Sequence, residues 1–403
     1  MKSFKIAYRN LLRMKRRTFL TASLIAVGVV FVLLFVSFSG SFKNYMISQI
    51  TDSMLGHIQI HKKGYVSSLD SLPLDKNLKA KIVKKITEKL QSMPEVVSFS
   101  KRLKFGAMIS NFTTSTNVRL NGIYPKQEMK TLPLLKNRIK GRVDLKPGEI
   151  IIPELIAKGM KLKIGDTVVL VATNAKGSMN AKTLKIAGIV GILSGPGGKD
   201  GYIHIQDARE LLRADKGEIN EIIIRTKNIS QVDATTLKLK KWIKTIAKPK
   251  LEVHSWKKLT PFINIAKMID LMSISIQIVL ISLVLISILN VMIMSVYERI
   301  KEIGTLKAIG TPKSFIVSMF VNEGILLAIL GAIIGTALTF VLILLVGDVR
   351  FSFGRQDNLL LTPQITVYDV MFVWILVICI SIVASIYPSI KAANLKPVEA
   401  LRS

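Results

Sequence analysis

Three groups of side chains have the types and spacing to do chemistry. Leu193-Ser194-Gly195-Pro196-Gly197-Gly198-Lys199-Asp200 comes near the G-x-x-x-x-G-K-[ST] loop that cradles the phosphates of ATP. Leu193 stands where the first glycine is needed, and Asp200 where a hydroxyl must reach magnesium. On the topology derived below, the segment also lies outside the cytoplasm, away from ATP. His57 and His61 flank Gln59 on one face of an alternating His-Ile-Gln-Ile-His run. A protein zinc site needs at least a third ligand, and His204 and His254 are distant in the chain, so no metal is expected. No H-E-x-x-H or G-x-S-x-G occurs, so neither catalysis nor a bound cofactor is expected of this chain. The third group, Tyr297 to Pro312, sets charged Glu298, Lys301 and Glu302 against apolar Ile300, Ile303 and Leu306. Its chemistry is that of docking: a short amphipathic helix, interrupted by Gly304 and Gly310 and ended by Pro312, with the form of a knob that sits in a partner's cleft.

The elements that position these groups follow from composition. The chain has 403 residues, is 50% hydrophobic and carries a formal charge of +31, which no ordinary soluble domain combines. Uncharged apolar runs span Phe19 to Phe38, Leu271 to Val296, Ile325 to Val346 and Val370 to Ile386. A bilayer core requires roughly 20 such residues. The first run is too long for a signal peptide and is followed by no small-x-small cleavage site, so it is expected to remain as a membrane helix. Lys2, Lys5, Arg9, Arg13, Lys15, Arg16 and Arg17 precede it and place the N-terminus inside. The organisation predicted is therefore an interfacial amphipathic helix over 1–17, spans over 18–41, 266–297, 315–346 and 366–387, a cytoplasmic helix over 298–312, a short outer loop over 347–365 and a cytoplasmic tail over 388–403. Residues 42–265 form a large domain outside, reached by helical stalks that extend the first two spans. Its basic character is a general lysine richness and does not indicate nucleic acid; a domain beside a membrane meets anionic lipid first. The single cysteine, Cys379, lies within the last span and forms no intrachain disulfide.

Within the outer domain, strand patterns fall at His57 to His61, Val96 to Ser100, Val118 to Ile123, Glu149 to Ile152, Thr167 to Ala172, Thr183 to Ile192, Tyr202 to Ile205 and Glu221 to Arg225. Helical patterns fall at Leu78 to Met93, Pro153 to Met160, Asp207 to Leu212 and Val232 to Ile246. The fold class expected is four transmembrane helices plus an α+β extracytoplasmic domain of two lobes, with a boundary near residues 125–147. Gly324, Gly331 and Gly335 have the small-xxx-small spacing of a packing seam inside the permease.

The run E-R-x-x-E-I-G-x-x-K-A-x-G, beginning at Glu298, resembles the coupling-helix signature of FtsX-like (type VII) ABC permeases. The tail from Tyr387 to Arg402 resembles their C-terminal motif. Met54 to Ile60, Val118 to Ile123 and Gly165 to Val168 are similar to landmarks of the lipoprotein-releasing LolC/LolE family, with a MacB-type periplasmic core. The resemblance implies a machine working by mechanotransmission in the bacterial inner membrane. An ABC ATPase dimer, which holds the ATP and Mg, pushes on Glu298, Arg299, Glu302, Gly304, Lys307 and Gly310, and the stalks relay the motion to the outer domains of two permease chains. It further implies a lipoprotein substrate, handed to a periplasmic carrier or adaptor. In one departure, the place where LolC carries a proline-bearing hook holds only Ala172 to Lys182, without proline.

Lipoprotein release is the leading reading. A MacB-like export permease and an FtsX-like regulator of a cell-wall hydrolase are the alternatives. Phe31, Phe35, Met272 and Ile276 are the candidates for an acyl-binding wall at the outer ends of the first two spans.

Overall fold

The computed structural model describes residues 2–191, 198–246, 248–347, 349–353 and 356–394. In chain order its helices are α1 (Lys2–Arg13), α2 (Lys15–Ile50), α3 (Ala80–Gln91), α4 (Pro125–Thr131), α5 (Glu154–Gly159), α6 (Ile205–Leu212), α7 (Val232–Ile243), α8 (Trp256–Leu259), α9 (Phe262–Glu298), α10 (Ile300–Ala308), α11 (Lys313–Val346) and α12 (Val367–Asn394). Its strands are β1 (Ile58–Lys62), β2 (Val96–Ser110), β3 (Ser115–Ile123), β4 (Ile139–Gly141), β5 (Glu149–Pro153), β6 (Thr167–Thr173), β7 (Met179–Val190), β8 (Asp200–His204), β9 (Glu221–Thr226), β10 (Leu251–Ser255), β11 (Val349–Phe353) and β12 (Gln356–Leu361). The chain divides into two compact units, Met1–Tyr45 with Ala266–Ser403, and Met46–Ile265.

In the first unit the four apolar runs lie inside α2, α9, α11 and α12, each long and apolar enough to cross a membrane. At 36 and 37 residues, α2 and α9 exceed the roughly 20 that a bilayer core requires. Their core is formed by Ile25, Val29 and Leu33 of α2, Val284 and Ile288 of α9, Phe320 and Leu327 of α11, and Val373 and Val377 of α12. The glycine seam is internal. A Cβ on Gly331 would lie 2.6 Å from Ile25 Cγ2, one on Gly335 2.7 Å from the Ala26 carbonyl oxygen, and Gly324 faces Ser381 and Ser385. Close approach of α11 to α2 and α12 thus requires hydrogen at these positions. Gly28, which the spacing rule does not pick out, meets Val284 in the same way. Where one helix is expected over 1–17, α1 ends at Arg13 and Lys15 to Arg17 belong to α2, and the apolar residues of α1 divide between two stripes. Ala7 and Leu11 are buried, Leu11 in the core shared with α11, while Phe4, Tyr8 and Leu12 are exposed one turn apart. The loop expected over 347–365 contains an antiparallel hairpin, β11 with β12.

The second unit is built on one mixed sheet in the order β10-β1-β9-β2-β3-β8-β5-β7-β4, with β6 pairing β2 and β7. Only β3 with β8 and β5 with β7 run parallel among the described pairs. Its lobes are not divided at 125–147. One core draws Ile58, Ile60, Leu78, Ile86, Ile222, Ile224, Leu239 and Trp256 from both ends of the unit's sequence. A second draws Leu103, Phe105, Leu120, Ile150, Val168 and Ile203 from its middle, and a third gathers Ile123, Leu132, Leu135, Tyr202 and Ile223. Helix α3 shows why the first core forms there: Val83, Ile86 and Leu90 recur at helical spacing and all are buried.

The two lobes share β2. From Val96 to Arg102 it pairs with β9, and from Leu103 to Ser110 with β3. The apolar alternation of the sequence covers only Val96 to Ser100, and the strand continues through Lys101, Arg102 and Lys104. Two of these charges are in fact buried and paired. Arg102 donates to Glu128 (Nε to Oε1, 2.7 Å) and to Glu221 (Nη1 to Oε1, 3.1 Å). Lys104 Nζ lies 3.5 Å and Arg119 Nε 2.7 Å from the Asp200 carboxylate. Burial alone would raise the Glu221 pKa, but His61, Arg102 and Lys104 reverse this and hold the carboxyl well below its ordinary range.

Candidate functional site

Helix α9 ends at Glu298, and Arg299, with φ −115° and ψ 20°, breaks the helical path before α10 begins. The far end of α10 is closed by Gly310 at φ +87°. Gly310 N–H donates to the Lys307 carbonyl (3.0 Å) and Thr311 N–H to the Leu306 carbonyl (3.1 Å). This is the double-bonded helix stop that a left-handed glycine permits, and Pro312 then starts α11 in extended geometry. The knob expected from sequence is therefore a nine-residue helix between two fixed corners. Gly304 does not interrupt it; it lies within α10 and is buried beside Ile303.

Three elements meet at the first corner. Glu323 of α11 is 0% exposed, and Arg299, at 3% exposed, donates to it (Nη1 to Oε2, 3.0 Å). Arg17 of α2 donates to the other oxygen of Glu323 and to Glu298 (Nη1 to Oε2, 3.0 Å). Two guanidiniums and two carboxylates thus balance one another, which a buried carboxylate requires. At the far corner Lys307 Nζ donates to the Ala393 carbonyl near the end of α12 (2.9 Å), where a cation is favoured by the unsatisfied carbonyls of a helix terminus. Lys313 Nζ donates to Asn394 Oδ1 (2.9 Å) beside it.

These contacts sort the six predicted coupling residues. Arg299 and Gly304 face inward, Glu298 and Lys307 are tied to neighbouring helices, and Glu302 is exposed with Arg13 3.8 Å away. Gly310 is exposed at the turn. The outward face of α10 is Lys301, Glu302, Thr305, Ala308 and Ile309, the last 78% exposed. Sequence reasoning missed Arg17, Glu323 and Ile309. Glu323 carried a legible signal, being an acidic residue well inside a long apolar helix, where such groups mark function. The uncharged apolar run that marks this span begins only at Ile325, two residues after Glu323.

Of the candidate wall residues, Phe31, Met272 and Ile276 are exposed and Phe35 is half-buried. Lys43 Nζ bonds the Asp270 carboxylate at 2.6 and 2.7 Å, and Gly28 meets Val284, so α2 and α9 run antiparallel with Phe35 and Ile276 at similar height. The paired histidines are held apart by other bonds. Thr226 N–H donates to His57 Nδ1 (3.1 Å), whereas the His61 ring stacks on Tyr65 at 5.0 Å. Among the described residues no three His, Cys, Asp or Glu side chains gather as a metal set. The near phosphate loop and the C-terminal motif lie partly outside the described residues, at 192–197 and 395–403.

A family profile described as MacB-like periplasmic core domain matches residues 18–241, more than half of the chain, and one described as FtsX-like permease C-terminal matches 274–397, which includes α10 and Glu323. The chain belongs to the MacB/FtsX-type family of ABC transporter permeases. Among its relatives, an uncharacterized membrane protein of Buchnera aphidicola is 25% identical over 365 residues, covering 85% of this chain and 86% of that one. The lipoprotein-releasing system transmembrane protein LolC of Neisseria meningitidis is 24% identical over 320 residues, 73% of this chain and 75% of that one. The macrolide export ATP-binding/permease protein MacB of Bdellovibrio bacteriovorus is 36% identical over 110 residues, 27% of this chain and 16% of that one. Where a LolC hook was sought, this MacB/FtsX-type permease has a tight turn between β6 and β7, closed by Asn174 N–H to the Ser178 carbonyl (2.9 Å) with Gly177 at φ +84°.

Proposed function

We propose that this chain is the motion-transmitting permease subunit of an ABC transporter that extracts lipoproteins from the outer leaflet of a bacterial inner membrane, with ATP hydrolysed on a separate ATPase dimer. In this reading α10 and both termini lie in the cytoplasm, as the basic residues before α2 favour, and the unit Met46–Ile265 lies outside. One observation carries the proposal. The outward face of α10 is available to a partner, while its inner corner is latched by Arg299 to Glu323 and through Glu323 to Arg17. A push on Lys301, Glu302 and Ile309 therefore reaches α2 and α11 through charged bonds, without passing through a flexible loop. A permease working this way moves an acylated substrate sideways and requires no polar pore. Each buried CH₂ withdrawn from lipid costs about 0.8 kcal/mol, so extraction has to be driven by ATP. The length over which the chain matches LolC supports a lipoprotein substrate, and a second chain of the same kind completes the transporter. The shared segment with MacB supports export through an adaptor as the second reading.

The test is to purify the chain with its ATPase from native membranes and identify what accompanies it by mass spectrometry before and after ATP. Acylated proteins that leave on ATP addition are the expected result. An adaptor in their place would move the assignment to MacB-like export, and a cell-wall hydrolase would move it to FtsX-like regulation.

A further inference from the structure

Apart from the membrane helices, the second unit holds an open groove of about 370 Å³ between α3 and α6. Its wall includes Val83, Lys84, Glu88, Lys101, Tyr124 and Arg209. The cations in it differ from the unit's carboxylate-paired cations. Arg102, Lys104, Arg119 and Lys182 all meet carboxylates. Lys101 and Arg209 are half-buried, yet what they meet is one aromatic ring: Lys101 Nζ lies 5.2 Å and Arg209 Cζ 5.8 Å from the centroid of Tyr124. Arg209 Nη2 donates to Tyr124 Oη (3.1 Å), and its Nε is buried with no hydrogen-bond partner among the described residues. Holding two cations on one ring is unfavourable unless an anion joins them, and a buried donor without an acceptor is costly. Glu88 lines the same groove but bonds to neither cation, and with Lys84 present the wall keeps an excess of positive charge.

We infer that this groove is a binding site for an oxyanion carried on an apolar body, with Arg209 and Lys101 holding the oxygens and Tyr124 and Val83 lying against the body. Arginine suits this role because its planar fork takes two oxygens of a phosphate or carboxylate at once. The assignment goes beyond the transport reading and does not depend on it. The oxyanion has two possible sources, an anionic lipid head group or a soluble anionic amphiphile.

The experiment uses the full chain in a neutral detergent, titrated by calorimetry with hexyl phosphate, with dihexanoyl phosphatidylglycerol and with inorganic phosphate. Saturable binding of one hexyl phosphate or one short-chain lipid per chain is expected, with inorganic phosphate weaker, and the tighter of the two amphiphiles identifies the source. Lys101→Gln with Arg209→Gln should weaken that binding at least tenfold, whereas Lys85→Gln, an exposed lysine of α3 outside the groove, should leave it unchanged. Thermal melting of each variant controls for folding, and Arg209→Lys, which keeps the charge but loses the fork, replaces the double variant if that one fails to fold. No saturable binding of either amphiphile, or equal affinity in the groove variants and in Lys85→Gln, overturns the site.

Discussion

Replacing Glu323 by leucine strands the Arg299 guanidinium, at 3% exposed, without its carboxylate, while Arg17 keeps Glu298. Breaking a buried pair on one side costs about 3–5 kcal/mol, because the surviving charge stays desolvated. At about 1.4 kcal/mol per tenfold, that weakens the latched arrangement by roughly two to three and a half orders of magnitude. Removing both partners with Glu323→Leu and Arg299→Met replaces the pair by apolar volume, which is often neutral for stability. The two variants therefore separate folding from transmission. Glu323→Leu should melt at a markedly lower temperature and lose substrate-stimulated ATP hydrolysis when reconstituted with its ATPase in nanodiscs. The double variant should regain the melting temperature and still fail to couple hydrolysis to transport. Normal transport by the double variant would refute the argument, since the corner would then be holding helices together without conveying motion. Wild-type melting of Glu323→Leu would refute the burial argument beneath it.

Other consequences can be checked with the same preparation. Glu302→Lys or Ile309→Asp, on the outward face of α10, should reduce co-purification of the ATPase and its substrate-stimulated rate without moving the melting temperature; full retention of both would remove that face from the interface. Gly331→Leu forces a side chain into the position where a Cβ already lies 2.6 Å from Ile25, and overpacking of this kind costs about 1–3 kcal/mol, read as a lowered melting temperature. Phe35→Asp and Met272→Asp should stop transport with ATPase assembly intact, and unchanged transport would exclude the proposed acyl wall. The depressed folded-state pKa of Glu221 gives stability that is complete above its unfolded value of about 4.3 and is lost as pH falls below it. Arg102→Met should destabilise the unit at neutral pH and flatten its acid dependence, as followed by circular dichroism between pH 7 and 3, roughly the range in which carboxylates titrate.

Legibility of the sequence followed physical range. An apolar run longer than a bilayer is thick has few uses, so α2, α9, α11 and α12 could be placed from composition. Gly310 and Pro312 act within a turn of themselves and mark the corner, although the helix expected over 298–312 ends at Ala308, where the left-handed Gly310 already stops it. The ion pairs were not, because their partners are remote in sequence. Arg17 and Glu323 lie 306 positions apart, and Arg102 and Glu221 119. Seen alone, Lys101, Arg102 and Lys104 look like a solvated turn, and β2 was cut short there. The lobe boundary was misplaced for a related reason: turn residues over 125–147 mark local punctuation, whereas the lobes are defined by Ile58 and Ile86 meeting Ile222 and Leu239 across more than a hundred residues. Glycine spacing did find Gly324, Gly331 and Gly335, since helix packing repeats every turn and leaves a local trace.

The shared strand β2 has a mechanical consequence. Both chain ends of the second unit belong to the lobe of β1, β9 and β10, where Ile47 and Ile263 pack against its core. The same N-terminal end is also tied to the segment 132–139, where Leu134 N–H donates to the Asp52 carbonyl (3.0 Å) and Arg138 bonds Gln49, while β2 joins the lobe of Leu103 and Phe105 to its neighbour as one continuous strand. Because β2 passes through the seam without a loop, and Arg102 is bonded there to Glu128 and Glu221, separating the two lobes would require breaking buried ion pairs and a continuous strand, with no hinge loop between them to absorb it.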